Sequence, residues 1–296
     1  MITVENLRKR FNHLVAVDGI SFQIREGEIF GLLGPNGAGK TTTINLIVGA
    51  LKPDGGTVNI DGFHDPTKPE LRNKIGCAPQ TLAIYNSLTA TENLSFFGRM
   101  YGLSGPHLKE RVRWALVFAG LQQRSKEAVS KFSGGMARRL NLACALVHDP
   151  PILLLDEPTV GVDPQSRHAI LESIDELNRQ GRTIIYTTHY MEEAQRLCHR
   201  VAIIDHGNIL ALDTVENLTT EYGGKSIIKA EIDQLPSDTS SLPGSVDGNV
   251  LRIETTKPME DLAKWTKTGL NFSRISVERP NLEQVFLNLT GRRLRD

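Results

Sequence analysis

The octapeptide GPNGAGKT, Gly34 to Thr41, constrains this chain more than any other stretch. It matches the pattern G-x-x-x-x-G-K-[S/T]. Before it lies EIFGLLG, an apolar run that reads as a buried strand, and after it KTTTINLIVGAL, which reads as a helix. A strand, a glycine loop and a helix in that order let backbone N–H groups wrap a phosphate chain at a helix N-terminus. Asn36, Gly37, Ala38 and Gly39 would supply the amides. Lys40 would reach the β- and γ-phosphates, the Thr41 hydroxyl would bind Mg²⁺, and Thr42 would contact the α-phosphate side. A glycine-rich turn with a chance lysine would need neither flanking element.

A phosphate loop needs acidic partners, and ILLLDE supplies them. A buried strand ends there in Asp156 and Glu157. Successive strand residues point to opposite sides, so the two can serve different roles. Asp156 fits Mg²⁺ binding, and Glu157 fits orientation or deprotonation of an attacking water. Gln80 and His189 also follow predicted strands, KIGCAPQ and TIIYTTH, at the sheet edge where α/β proteins bind ligands. By position alone, Gln80 could sense Mg²⁺ or water and His189 the γ-phosphate, or either could be structural.

The 296 residues suggest about two domains. Equal numbers of basic and acidic residues, 34 each, argue against a broad nucleic-acid-coating surface. Cys77, Cys144 and Cys198 are too scattered for a metal or redox motif and read as small buried residues. MITVENLRKRF lacks the apolar core of a signal peptide, and no apolar run approaches the roughly 20 residues that cross a bilayer. The expectation is a soluble, cytoplasmic chain that anything at a membrane must hold there.

Strands alternating with helices argue for a largely parallel sheet covered by helices. About residues 86–147 look helical and read as an insertion, with Val112, Ala115, Leu116 and Ala119 on one stripe. SRHAILESIDELNRQG reads as a helix with Ile170, Ile174 and Leu177 on one face, and RVAIIDHGNILAL as a hairpin turning near His206–Asn208. Composition shifts around TTEYGGKS. A first domain is therefore expected over 1–219 and a small α+β domain over 220–296. In the latter, LPSDTSSLPGS reads as a loop between strands. The last helix carries Asn281 as cap, Gln284 at the capping-box position, and a stripe of Leu282, Val285, Phe286 and Leu289.

One feature fits none of this. KFSGGMARRL, Lys131 to Leu140, offers a second set of backbone amides at a helix start, although the chain already has a phosphate loop. GPNGAGKTT, Gln80, FSGGM, ILLLDEP, GVD and TTH occur in the order found in ATP-binding cassette (ABC) ATPases, and over roughly Met1 to Leu218 the chain resembles that family. The resemblance implies a P-loop fold: a RecA-like core sheet, an N-terminal antiparallel β subdomain and an inserted helical subdomain. It also implies ATP and Mg²⁺ as ligands.

Family likeness assigns the remaining roles. Gln80 becomes the Q-loop residue, with Thr41 and Asp156 at the metal, and His189 the switch histidine. Phe11 becomes the aromatic on adenine, or else a core strand residue. Two subunits, this chain with a second copy or with a related ATPase subunit, would pair head-to-tail, so that Ser133, Gly134 and Gly135 meet the partner's ATP, and Asp163 would join the two sites. Met136 departs from the family's usual glutamine. That SGGM form and RPNLEQVFLNLTGR are similar to the ATPases of type-2 exporters of the daunorubicin-resistance, nodulation and sodium-export kind.

The resemblance further implies a separate polytopic permease. Its cytoplasmic helix would dock near Thr81–Leu103, where Phe96, Phe97 and Tyr101 either line the cleft or fill the helical core. The expected location is the cytoplasmic face of the membrane. The alternative is an ABC ATPase that does no transport and acts with soluble partners.

Overall fold

The computed structural model describes residues 1–232, 242, 244–265 and 272–291. The described residues divide into two compact units, one over residues 1–215 and one from residue 216 onward. All the residues singled out above as site residues lie in the first.

The first unit opens with a hairpin, β1 (Ile2–Phe11) and β2 (Leu14–Ile24). The chain then runs through β3 (Ile29–Leu33), α1 (Lys40–Ile47), β4 (Gly55–Ile60), the single-turn α2 (Pro69–Arg72) and β5 (Ile75–Ala78). Three helices follow: α3 (Ala90–Met100), α4 (Gly105–Phe118) and α5 (Gly134–Leu146). The α/β alternation resumes with β6 (Ile152–Asp156), α6 (Pro164–Arg179), β7 (Thr183–Thr188), α7 (Met191–Leu197), β8 (Arg200–Asp205) and β9 (Asn208–Thr214).

Six strands form the main sheet in the order β5-β6-β7-β3-β8-β9. All pairs are parallel except β8 with β9. Every residue of β3, β6 and β7 is buried, as continuous apolar runs covered on both faces require. The N-terminal sheet, β2-β1-β4, is antiparallel. One core joins its inner residues, such as Ile2, Leu7 and Phe22, to Phe30, Ile44 and Leu154. The helical insertion has a separate core that includes Leu94, Ala115, Leu140 and Val147.

Local chemistry explains where the helices begin. Thr89 and Glu92 form a reciprocal capping box on α3. Ser133 caps α5 by accepting from the Met136 N–H at 3.3 Å. Asp163 caps α6, with Pro164 in the first turn.

The second unit holds most of α8 (Val215–Tyr222), then β10 (Ser226–Ile232), β11 (Ser245–Asp247), β12 (Val250–Thr255), α9 (Pro258–Trp265), β13 (Phe272–Glu278) and α10 (Leu282–Thr290). Its antiparallel sheet runs β11-β12-β10-β13 over a core of Ile228, Ala230, Ile232, Leu251, Ile253 and Trp265. Most of the predicted LPSDTSSLPGS loop, and the last residues of the helix predicted over MEDLAKWTK, lie outside the described residues. The capping box expected on α10 forms only in half. Asn281 Oδ1 accepts from the Gln284 N–H at 2.9 Å, but the Gln284 side chain donates to Asn288 Oδ1, one turn onward, instead of reaching back.

Candidate nucleotide site

The sheet order brings four strand ends together. β3 leads into the phosphate loop, β6 into Glu157, β7 into His189, and β5 into Gln80 through Pro79. A cavity of about 410 Å³ is lined by Phe11, Asn36, Gly37, Gly39, Lys40, Thr41, Thr42, Gln80, Glu157 and His189, together with Leu14, Ala16 and Val160.

The loop owes its shape to glycine. Gly39, just before α1, has φ of 106°, which β-carbon-bearing residues rarely adopt. A Cβ at Gly39 would lie 2.4 Å from the Ala16 carbonyl oxygen, and one at Gly34 would lie 2.1 Å from that of Ile204. The loop is thus pressed onto the backbones of β2 and β8. Lys40 is 4% exposed and curls back over the loop, donating to the Gly34 and Pro35 carbonyls at 2.8 and 3.1 Å.

Lys40 also forms a 2.9 Å ion pair with Glu157 Oε1, and both side chains are buried. The other oxygen, Oε2, receives Gln80 Nε2 at 3.3 Å and faces His189 Nδ1 at 3.1 Å. Glu157 is therefore the point on which Lys40, Gln80 and His189 converge. Strand alternation is not what separates Glu157 from Asp156, as the sequence suggested. β6 ends at Asp156, and Glu157 turns away with a left-handed φ of 46°. A non-glycine residue held there is strained by about 1–2 kcal/mol. Thr187 spans the bend: its hydroxyl donates to Asp156 Oδ1 at 2.5 Å and accepts from the Glu157 N–H at 2.9 Å. Asp156 is buried and is not among the residues lining the cavity.

Phe11 is 42% exposed at the end of β1, which removes it from the core. Ser133, Gly134, Gly135 and Asp163 do not line the cavity. They adjoin one another instead, since a Cβ on Gly135 would lie 3.3 Å from Asp163 Oδ2. Asp163 accepts from the Ser166 hydroxyl at 2.7 Å and the Ser166 N–H at 2.9 Å, and these bonds hold its carboxyl below the ordinary range. Met136, like Phe132, packs against the helical core.

A groove of about 480 Å³ opens elsewhere in the same unit, lined among others by Val48, Arg72, Cys77, Phe97, Met100 and Tyr101. Tyr101 stacks on His148 with ring centroids 3.6 Å apart, and burial lowers the His148 pKa to about 4. Phe97 and Tyr101 line this groove, whereas Phe96 packs edge-on to Tyr85 outside it. Phe97 packs on the helical core as well. Among the described residues no helix is long and apolar enough to cross a membrane.

Residues 17–160 match the sequence family described as ABC transporter. The chain is 43% identical over 311 residues to the linearmycin resistance ATP-binding protein of Bacillus subtilis, covering all of both chains. It is 40% identical over 306 residues to the Nod factor export ATP-binding protein I of Ralstonia nicotianae, covering all of this chain and 95% of that one. Among solved structures, the ATP-binding subunit of an ABC transporter superposes with a TM-score of 0.69 at 30% identity, over 75% of this chain and 93% of that one. A dimeric ATP-binding cassette in a post-hydrolysis state with ADP and Pi superposes with a TM-score of 0.67 at 28% identity, over 72% and 98%.

Sequence reasoning passed over Arg138, although it lies in KFSGGMARRL. Its guanidinium donates to the Gln80 carbonyl and, at 3.2 Å, to the Val160 carbonyl. One side chain thus ties α5 to the segment carrying Gln80 and to the turn after Glu157. Burial lowers its pKa from the ordinary arginine value, against the pull of Glu157 and Asp156. Only the folded chain shows the link, because the spacing from Arg138 back to Gln80 follows no helical or strand period. A charge-assisted hydrogen bond is worth about 1.5–3 kcal/mol, roughly tenfold or more in rate if it holds a reacting group in place. Arg138→Gln is therefore expected to lower kcat for ATP about tenfold or more with little change in KM, and Arg138→Lys less. Steady-state ATPase assays check this, and wild-type kcat in both variants would show that the link positions nothing.

Proposed function

This chain is an ABC transporter ATP-binding protein, and from that premise we propose that it works as one half of a head-to-tail pair seated on a separate membrane permease. It binds and hydrolyses ATP as the energy-supplying subunit of an exporter. The transport names of its relatives disfavour the alternative of an ABC ATPase serving soluble partners.

The convergence on Glu157 is the observation that carries the mechanism. Glu157 is held by Lys40, Gln80 and His189. An ATP in the cavity would lay its phosphates along Asn36–Thr42 and its adenine against Phe11. The γ-phosphate would then take Lys40 from Glu157. Glu157 is left to orient a water and accept its proton as the water oxygen attacks the γ-phosphorus and ADP departs. His189 would hold the γ-phosphate, with Gln80 beside the attacking water. Thr41, Gln80 and Asp156 offer only oxygen ligands, the donor set that Mg²⁺ prefers, and the buried Asp156 carboxylate is already oriented by Thr187. Bound there, Mg²⁺ would neutralise charge on the phosphate oxygens.

Ser133, Gly134 and Gly135 lie apart from their own chain's cavity and so are free for the ATP of a second copy, with Asp163 beside them at the junction. Two copies related by a two-fold axis would close two such sites at once. Two or three charge-assisted bonds per site, at about 1.5–3 kcal/mol each, exceed the roughly 5.5 kcal/mol that swings a two-state equilibrium from open to closed. Hydrolysis removes those bonds, and the pair opens.

The groove beside Phe97 and Tyr101 has the shape and apolar lining to take a permease's cytoplasmic helix. The chain would then sit on the cytoplasmic face of the membrane.

Glu157→Gln is expected to bind ATP, hydrolyse it at least about 100-fold more slowly, and accumulate as an ATP-bound dimer on size exclusion. Ser133→Arg should abolish dimer formation and turnover while single chains still bind ATP. Wild-type turnover in Glu157→Gln would remove the base assignment, and in Ser133→Arg the assignment of the second phosphate loop to a partner. For the permease, purification of the tagged chain from detergent-solubilised native membranes should recover a polytopic membrane protein near equal stoichiometry. Recovery of soluble proteins alone, with and without Mg-ATP, would contradict that part.

A further inference from the structure

The second unit carries an edge strand whose sequence is complementary to itself. Among the described residues β13 lies at the end of its sheet and pairs with β10 alone. Opposite residues in an antiparallel ladder share a face. Val277 stands opposite Ile228, and Ile275 opposite Ala230. Ile228 and Ala230 are completely buried, yet Ile275 is 41% and Val277 36% exposed. The apolar face of the sheet therefore runs out onto the edge strand without cover.

Free edges of this kind are normally blunted by charges on the inner face or by proline within the strand. β13 has neither. Arg274 and Glu278 lie on the other face, and Pro280 comes only after the strand ends. Glu278 pairs with Lys229, whereas Arg274 has no ion-pair partner among the described residues.

We propose that β13 pairs antiparallel with β13 of a second copy about Ser276, joining two four-stranded sheets into one of eight. In that register Arg274 of each copy faces Glu278 of the other, Ile275 faces Val277, and Ser276 faces itself. A shift by one residue would place the apolar face of one copy beside the polar face of the other. A shift by two would set the axis on Ile275 or Val277, a shift by four on Arg274 or Glu278, and each of these breaks the Arg274–Glu278 match. A seven-residue strand buries less than the ~1,200 Å² of a stable interface, so this contact is weak alone. It gains strength when another interface holds the two copies together. It does not depend on the roles assigned at the nucleotide site.

Cysteine crosslinking of the full chain without nucleotide separates this contact from ATP-driven pairing. Opposed Cα atoms in an antiparallel pair are about 4.5–5.5 Å apart, within disulfide range. Ser276→Cys is expected to give a disulfide-linked dimer under mild oxidation. The native cysteines, two buried and one half-buried, set a background measured on wild type. Ser245→Cys lies on the opposite edge of the sheet, about 34 Å from its counterpart at seven strand spacings, and should stay at background. Adding Arg274→Glu to Ser276→Cys puts like charges opposite each other and should cut the crosslinked fraction about fivefold or more. Unchanged ATP turnover of reduced Ser276→Cys shows that the variant folds. Crosslinking no greater than that of Ser245→Cys, or undiminished by Arg274→Glu, would overturn the proposal.

Discussion

A buried lysine–glutamate pair sets the character of this molecule. Lys40 and Glu157 are both almost wholly shielded from water and meet at 2.9 Å. Losing one member of such a pair leaves an uncompensated charge and costs about 3–5 kcal/mol. On the mechanism proposed above, a γ-phosphate would remove the problem this pair creates: it would give Lys40 a new anion as it releases Glu157. Nucleotide binding and activation of the base would then be one event.

The fold exists around that pair in a specific sense. Lys40 begins the helix after β3, and Glu157 leaves the end of β6, with β7 lying between the two strands. The left-handed backbone at Glu157 and the two-way hydroxyl of Thr187 swing the carboxylate toward the loop while Asp156 stays buried. Arg138 links the same region to the helix that starts at Ser133. A change in how Gln80 and Glu157 are held therefore has a hydrogen-bonded route, through Arg138, to the helix that starts at Ser133.

Much of this was legible in the residues. The phosphate loop announces itself because glycine is required locally: left-handed backbone and carbonyl oxygens within 2.4 Å of a would-be Cβ leave no alternative. The caps at Ser133 and Asp163 are equally local. Gln80 and His189 could be seen as residues that follow strands, but their meeting on Glu157 depends on strand order, which hydrophobic patterning does not encode. Strand alternation was the wrong reason for the divergence of Asp156 and Glu157, because one left-handed residue overrides a two-residue period. The short α2 and β11 left no periodic signal, having four and three residues. Gln284 was expected to reach back to the cap, yet Asn288 offered it a partner one turn onward.

In the mechanism proposed above, ATP takes Lys40 from Glu157 and the SGG segment of a second copy closes the same phosphate. A crystal structure of the wild-type chain with ADP, beryllium fluoride and Mg²⁺ tests both halves at once. The predicted result is a dimer in which Lys40 Nζ contacts the fluoride, Glu157 is free of Lys40 and faces a water, and Ser133 of the other copy contacts the same group. A structure in which Lys40 and Glu157 stay paired beside bound nucleotide, or in which Ser133 meets the nucleotide of its own chain, would contradict it.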